Sequence, residues 1–173
     1  MTNTSPNEVN QSDELSGRKG PVLCAVDFST DSGAAIKWAI GNAASLGTSL
    51  LVLHVIHDPL DAPGYYKQEE GEHLRPMEDV AESMMREFVM SELGVDTDKD
   101  KTGHVQTKLV VGVPVTRILE VAEKVDAQII VMGSQGRTGL KHLLLGSKAE
   151  QVVRLAPIPV TIVKEPRSAD HQE

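Results

Sequence analysis

The chain alternates between short, dense apolar runs and longer segments whose apolar residues recur every three or four positions. The run Val22 to Val26 is too dense for the alternation of a half-exposed strand, which indicates a strand buried on both faces. The longer segments have the period of amphipathic helices. The predicted strands are Val22 to Val26, Ser49 to Ile56, Val105 to Val111, Ala127 to Met132 and Ile158 to Val163.

Helices are predicted between these strands. Ser29 is a suitable N-cap for the first helix, which ends at Gly47, and Pro114 suits the first turn of the third. The helices cover residues from about Ser29 to Gly47, Met77 to about Gly94, Val115 to Val125, and Ser147 to Leu155. The inner stripe of the second helix is predicted to be Met77, Val80, Met84, Met85 and Phe88.

The alternation of strands and helices predicts a mostly parallel, doubly wound α/β sheet with helices on both faces. In such sheets, ligands bind at the carboxyl ends of the strands, where the winding direction reverses. Asp27, Val55 and Gly133 all lie at predicted strand ends. The sequence therefore predicts a ligand site at this edge of the sheet.

The fourth strand runs into a glycine-rich segment and then into a helix. Gly133, Gly136, Gly146 and Ser147 mark this segment, and glycine permits positive φ angles and a close approach of the backbone to a ligand. A helix beginning at Gly146 and Ser147 offers unpaired N–H groups and the positive end of its dipole to an anion. The arrangement predicts a cradle for phosphate.

The distribution of charge supports an anionic ligand. Residues 127–149 contain no Asp or Glu but contain Arg137, Lys141 and Lys148, in a chain of net charge −8. This local reversal favours a small, negatively charged ligand. The acidic balance of the whole chain argues against broad binding of nucleic acid through its phosphate backbone.

The composition is that of one globular domain. Only 3% of the 173 residues are aromatic, so the core must be aliphatic. Residues 1–20 lack the apolar stretch of an export signal, and the apolar runs are too short to span a membrane. The lone Cys24 excludes an intrachain disulfide and fits a reducing compartment. We therefore expect a cytoplasmic protein with no membrane partner.

The chain divides into a flexible tail over residues 1–20, a domain over residues 21–165 and a tail over residues 166–173. An acidic insert is predicted at about residues 58–72, and residues 58–100 carry 13 acidic against 4 basic side chains. A solvated helix face explains most of this charge. A lid or a docking surface is the alternative.

The segment GSQGRTGLKHLLLGSKAEQVVRLAPIPVTIVK closely resembles the end of universal stress protein domains. The spacing Gly-x2-Gly-x9-Gly-Ser/Thr of the ATP-binding members is met here by Gly133, Gly136, Gly146 and Ser147. PVLCAVDFST resembles the family's first strand with its aspartate, Asp27, and LLVLHVI resembles its second strand. The resemblance covers roughly residues 20–165.

This resemblance implies a five-stranded parallel sheet in the order 3-2-1-4-5, of the adenine-nucleotide alpha-hydrolase-like type. It also implies a homodimer formed through the last strand, Ile158 to Val163. The implied ligand is ATP, accompanied by Mg²⁺ or Mn²⁺, with the backbone of Val55 at the adenine, Asp27 near the adenosine and the loop from Gly136 to Ser147 around the phosphates. The implied binding residues are Ala25, Val26, Asp27, Val55, Met132, Gly133, Gly136, Arg137, Gly146, Ser147 and Lys148.

Several of these residues have a second interpretation. Ser147 and Glu150 fit a capping box, so the serine is a helix cap, a phosphate ligand, or both. Asp27 is a capping aid to Ser29, or it faces ribose or a metal. Lys148 stands where the family usually has an apolar residue, and it points either at the phosphates or into water.

Other side chains suggest no chemistry. Gln135 replaces a frequent His or Arg of the family, a change expected to matter little. Cys24 is expected to be an inert core residue. His54 and His57 are expected to face opposite sides of their strand, which argues against a joint metal site.

The leading hypothesis is an ATP-binding stress protein that acts as a nucleotide-dependent regulator of an unknown protein partner, with little or slow hydrolysis. No Walker A, G-x-S-x-G or H-E-x-x-H sequence is present. One alternative is a slow, metal-dependent ATPase. The other is a nucleotide-free interaction protein whose working surface is the acidic segment over residues 58–100.

Overall fold

Five parallel strands form one sheet in a computed structural model that describes residues 19–57, 77–97, 99, 103–136 and 145–165. The strands are β1 (Val22–Ala25), β2 (Leu50–Ile56), β3 (Val105–Val111), β4 (Ile129–Gly133) and β5 (Val160–Val163). Their order is β3-β2-β1-β4-β5, and every neighbouring pair is parallel. This confirms the predicted fold class and strand order.

Two helices cover each face of the sheet. The helices are α1 (Thr30–Leu46), α2 (Met77–Leu93), α3 (Pro114–Lys124) and α4 (Ser147–Leu155). Leu23 and Ala25 of β1 belong to the core beneath α3 and α4, whereas Val22 and Cys24 belong to the core beneath α1 and α2. Because both faces of β1 are covered, its sequence is apolar without alternation.

The helix boundaries follow local sequence signals. Ser29 caps α1, its hydroxyl accepting from the backbone N–H of Ser32, and Gly47 ends the helix in the left-handed region at φ 64°. Pro114 occupies the first turn of α3. These three predicted signals are confirmed.

The predicted inner stripe of α2 is only partly right. Of the predicted residues only Met85 is buried, and it is joined by Ala81 and Val89. The buried line therefore follows positions spaced by four. The other predicted residues, Met77, Val80, Met84 and Phe88, are only partly buried.

The winding direction of the chain reverses after β3, so β1 lies between β2 and β4. The carboxyl ends of these three strands therefore open on a common crevice. β3 and β5 are the edges of the sheet, and Pro159 directly precedes β5, as suits an edge strand. Among the described helices, none has the length and apolar character that crossing a bilayer requires.

Some predictions concern residues outside those that the structure describes. They are the two tails, except for residues 19 and 20, and the acidic insert at residues 58–72. The domain bounds therefore stay predictions.

Candidate functional site

A cavity of about 270 Å³ opens at the carboxyl ends of β1, β2 and β4. Its wall includes the ends of these strands, the segment after β4 and the first turn of α4. Arg137 lies outside the described residues, as does Lys141. The other predicted binding residues all line the cavity: Ala25, Val26, Asp27, Val55, Met132, Gly133, Gly136, Gly146, Ser147 and Lys148.

One part of the wall is apolar. Val26, Val55 and Met132 are buried within the fold but contribute to the cavity surface. Pro114 and Ile118 of α3 also line the cavity. Such a surface suits a flat, apolar group such as a nucleobase.

Asp27 is the centre of a hydrogen-bond network at the turn between β1 and α1. Its Oδ1 accepts from the hydroxyls of Ser29 at 2.5 Å and Ser32 at 2.7 Å, and from the backbone N–H of Ser29 at 3.2 Å. The hydroxyl of Ser32 in turn accepts from the backbone N–H of Asp27 at 3.0 Å. The carboxylate thus fixes the turn and also lines the cavity, so the two interpretations of Asp27 are compatible.

Phe28 adopts a left-handed conformation in this turn, at φ 62°. A bulky side chain rarely takes this conformation unless its surroundings impose it. Its ring packs against His54 at a centroid distance of 4.3 Å and against Phe88 at 5.5 Å. These aromatic contacts, together with the Asp27 network, hold the turn.

His54 also fixes the end of β1. Its Nδ1 lies 2.8 Å from the carbonyl oxygen of Val26, and because a carbonyl only accepts, Nδ1 carries the proton. His54 and His57 both contribute to the cavity lining, and the expectation that their side chains face opposite sides of the strand stays a prediction. β2 ends at Ile56, so His57 lies beyond the strand, where the alternation of side chains between the two faces no longer applies.

The glycines of the motif serve close approach. A β-carbon at Gly133 would lie 2.8 Å from the carbonyl carbon of Asp31, and one at Gly136 would lie 2.6 Å from Oδ2 of Asp27. Gly133, Gly136 and Gly146 are not among the glycines with positive φ. The expectation that positive φ angles explain these glycines is therefore wrong. At Gly133 and Gly136, however, a side chain would collide with neighbouring atoms, which supports the expectation of close approach.

The capping-box interpretation of Ser147 is also wrong. The N-cap of α4 is Gly146, at φ −70° and ψ 147°, and Ser147 is the first helical residue. The backbone N–H of Gly146 donates to the carbonyl oxygen of Ser134 at 2.8 Å, which fixes where the helix begins. A glycine cap has no side chain to satisfy the N–H groups of the first turn.

Of the predicted cations of the site, Lys148 lies among the residues that the structure describes. Lys148, in the first turn of α4, is exposed and lines the cavity. No group of three or more His, Cys, Asp or Glu residues that could hold a metal occurs in the part of the chain that the structure describes. Cys24 is fully buried in β1, and burial raises the pKa of its thiol, as expected of an inert core residue.

Sequence reasoning missed several residues of the wall. Ser32, His57 and Ser134 all line the cavity. His57 directly follows β2, and Ser134 directly follows β4. Asp27 was selected because it lies at a strand end, and the same criterion could have selected these two residues. Ser32 lies within α1 and is brought to the site by the turn at Asp27, which no local pattern specifies.

Comparison with known proteins identifies the family. The model of the universal stress protein family matches residues 20–164. Universal stress protein MJ0577 of Methanocaldococcus jannaschii is 30% identical over 161 residues, and the match covers 85% of this chain and 96% of that protein. Universal stress protein MJ0531 of the same organism is 49% identical over 63 residues, and this match spans only 36% of this chain and 37% of that protein.

Solved structures agree with the sequence comparison. The structure of protein MJ0577 matches with a TM-score of 0.58 at 27% identity, covering 87% of this chain and 99% of that chain. A universal stress protein from Archaeoglobus fulgidus in complex with dAMP shares the fold, with a TM-score of 0.56 at 22% identity over 85% of this chain and 99% of that chain. The chain belongs to the universal stress protein family.

Proposed function

We propose that the chain binds ATP in the cavity at the carboxyl ends of β1, β2 and β4. The observation that carries this proposal is the first turn of α4, capped only by Gly146, which lines the same cavity as Asp27 and the apolar wall. An apolar wall, a carboxylate and a helix N-terminus are the surfaces that a base, a ribose and a polyphosphate require.

The adenine lies against Val26, Val55 and Met132 in this proposal. The ribose lies near Asp27, Met132 and Gly133. The backbone N–H groups of the first turn of α4 bind the phosphates, together with the hydroxyl of Ser147 and the residues around Gly136. Backbone groups carry most of this recognition because they are fixed before the ligand arrives, and Lys148 adds a smaller electrostatic contribution.

Structures of related folds support an adenine nucleotide as the ligand. A universal stress protein from Archaeoglobus fulgidus was solved in complex with dAMP, and another universal stress protein was solved with cAMP. These complexes indicate that the fold accommodates adenine nucleotides. The glycine spacing of this chain favours a ligand with more than one phosphate.

A divalent cation fits this site as a companion of the nucleotide. Asp27 is the carboxylate on the cavity wall, and its Oδ1 already accepts three hydrogen bonds. Mg²⁺ is commonly held by one or two carboxylates, substrate phosphates and water. Mg²⁺ or Mn²⁺ would thus neutralise phosphate charge and would be held chiefly by the nucleotide.

The biological role that we propose is nucleotide-dependent regulation in the stress response, with little or slow hydrolysis. Since the carboxylate of Asp27 is committed to the turn, it serves as a structural and binding group in this proposal. The single cysteine supports a cytoplasmic location. A change in the surface around Gly136 and α4 would be the signal that a protein partner reads.

We also propose a homodimer paired through the open edge of β5. In a parallel pair, residues of an edge strand alternately direct their backbone groups inward and outward. Pro159 and Val163 bond inward to β4 through their carbonyls, so Val160 and Ile162 present theirs at the edge. Sedimentation equilibrium tests this proposal: twice the chain mass supports it, and a monomer at micromolar concentration contradicts it.

The decisive experiment for the ligand is release of any bound nucleotide from purified protein by denaturation, followed by mass spectrometry. Calorimetric titration with Mg-ATP then measures affinity in protein freed of nucleotide. ATP in the released fraction, or heat of binding, supports the proposal. Steady-state phosphate release lost in Asp27→Ala would favour a slow ATPase, and absence of both nucleotide and binding heat would favour the interaction protein.

A further inference from the structure

The carboxylate of Asp31 joins three segments that are far apart in sequence. Asp31 is the second residue of α1. Its Oδ2 accepts from the hydroxyl of Ser134 at 2.6 Å and from the backbone N–H of Gln135 at 2.9 Å. Its Oδ1 accepts from the backbone N–H of Glu165 at 3.2 Å. One side chain thus connects α1, the segment after β4 and the segment after β5.

The first pair of contacts acts directly on the cavity. Ser134 and Gln135 both line it, and Ser134 is 3% exposed. The carbonyl oxygen of Ser134 also accepts from the backbone N–H of Gly146 at 2.8 Å. Asp31 therefore holds the residue against which the N-terminus of α4 is fixed.

The third contact acts on the edge of the sheet. Glu165 is the second residue after β5, the outer strand next to β4. The backbone N–H of Ser134 donates to the carbonyl oxygen of Val163 at 2.7 Å, so the ends of β4 and β5 are also joined directly. Asp31 adds a second, charged connection between the same two ends.

The backbone of Asp31 has little freedom to move. A β-carbon at Gly133 would lie 2.8 Å from the carbonyl carbon of Asp31 and 2.9 Å from its Cβ. α1 thus packs against the end of β4 at nearly the closest possible distance. An acidic residue in a first turn is also favourable to the helix dipole, but that effect alone does not require both oxygens to bond to other segments.

We propose that Asp31 is a positioning residue that aligns the phosphate-binding segment after β4 with the end of β5. One consequence rests on the proposed function. If ATP occupies the cavity, it stabilises the backbone at Glu165, at the open edge of the sheet. Because coupling between two sites is reciprocal, pairing at that edge favours ATP by the same factor. Charge-assisted hydrogen bonds of this kind are stronger than neutral ones.

The test is Asp31→Asn, compared with Asp79→Asn. Asp79 is an exposed acid in the first turn of α2, so its replacement reproduces the loss of charge near a helix N-terminus without the tertiary contacts. Asparagine at position 31 keeps the size of the side chain, but its amide nitrogen cannot accept a hydrogen bond. At least one of the two sets of contacts is therefore lost.

The first readout is hydrogen exchange of the Gln135 and Glu165 backbone amides by NMR, in protein freed of nucleotide. We expect Asp31→Asn to speed exchange of at least one of these amides by about tenfold or more, the loss expected for one hydrogen bond to a charged group. Asp79→Asn should leave both rates unchanged. Wild-type rates at both amides in Asp31→Asn would overturn the proposal.

The second readout is affinity for adenosine and for Mg-ATP by calorimetry. We expect Asp31→Asn to weaken ATP by about tenfold and adenosine by less than about twofold, since adenosine lacks phosphates. ATP should slow exchange at Glu165 in the wild type and not in Asp31→Asn. Equal losses for adenosine and ATP would indicate general damage and overturn the positioning role. If the wild type binds no nucleotide, the proposed function fails, and the exchange rates in nucleotide-free protein still decide the role of Asp31.

Discussion

Gly136 lies so close to Asp27 that a β-carbon at position 136 would stand 2.6 Å from Oδ2 of that carboxylate. The carboxylate cannot easily move away, because its other oxygen accepts hydrogen bonds from both Ser29 and Ser32. The contact joins the turn after β1 to the segment after β4. It explains in steric terms why a glycine stands at this point of the motif.

We therefore expect Gly136→Ala to distort the site, because the new methyl group would collide with the carboxylate of Asp27. Overpacking of this kind costs about 1–3 kcal/mol of the free energy of unfolding, and the displaced carboxylate should also weaken ATP binding. Urea denaturation and calorimetry measure the two effects. Gly41→Ala is the control, because a β-carbon there meets no atom within 4 Å.

The control should behave in the opposite sense. Alanine replaces glycine inside α1 at position 41, which favours the helix by about 0.5–1 kcal/mol and leaves ATP binding unchanged. If Gly136→Ala were as stable as the wild type and bound ATP equally well, the close approach to Asp27 would not constrain the site.

Gly146→Ser should separate stability from binding. The N-cap backbone at φ −70° and ψ 147° suits serine, whose hydroxyl would accept from an N–H of the first turn of α4. We expect a gain of about a few tenths of a kcal/mol in stability, together with weaker ATP binding, because the serine competes with phosphate for the same N–H groups. Thermal unfolding and calorimetry measure both quantities.

A comparison substitution exists at α3. Val113 is the N-cap of that helix and likewise makes no side-chain capping hydrogen bond. Because valine is a poorer N-cap than glycine, Val113→Ser should give a larger gain in stability, about 0.5–2 kcal/mol, with no change in ATP affinity. Unchanged or tighter ATP binding in Gly146→Ser would contradict the assignment of the α4 N–H groups to phosphate.

The sequence predicted the scaffold well because its signals are local. The dense apolar run at β1 follows from burial on both faces, and the caps at Ser29 and Gly47 act within one turn of helix. The same local logic failed at Ser147. The capping-box pattern was present, but with the bond from Gly146 to Ser134 the helix starts one residue earlier, with Gly146 as its N-cap. Local patterns carry no information about that tertiary contact.

Asp31 shows a second limit of sequence reasoning. In the sequence it is one more acid at the start of a helix, which the helix dipole alone would explain. Its partners at Ser134 and Glu165 are more than 100 positions away. Only the packing of α1 against the end of β4 brings them together, so a single sequence gives no signal for them.

Lys148→Ala should have only a modest effect on ATP binding. The side chain is exposed, and exposed ion pairs contribute about 0–1 kcal/mol, which corresponds to less than about fivefold in affinity. The loss should shrink as salt is added, because screening weakens interactions between exposed charges. Calorimetric titrations at low and high salt, with Lys164→Ala as an exposed control outside the cavity wall, provide the measurement. A loss of binding in Lys148→Ala that salt does not reduce would contradict backbone-dominated recognition.

Cys24 should react with thiol reagents only when the whole domain unfolds. Its side chain is 0% exposed in the central strand, and burial raises the pKa of its thiol. Because the folded state keeps the proton, its contribution to stability is unchanged below the ordinary thiol pKa of about 8.5 and is lost progressively as the pH rises above it. Because reagent reaches the buried side chain only when the domain unfolds, we expect the labelling rate at neutral pH to match the hydrogen-exchange rate of the slowest β1 amides. Urea denaturation at neutral and alkaline pH should show a decrease in stability that is smaller in Cys24→Ala. Labelling that is faster than amide exchange and independent of urea would show that a local opening exposes β1, and would contradict its place in the rigid centre of the sheet.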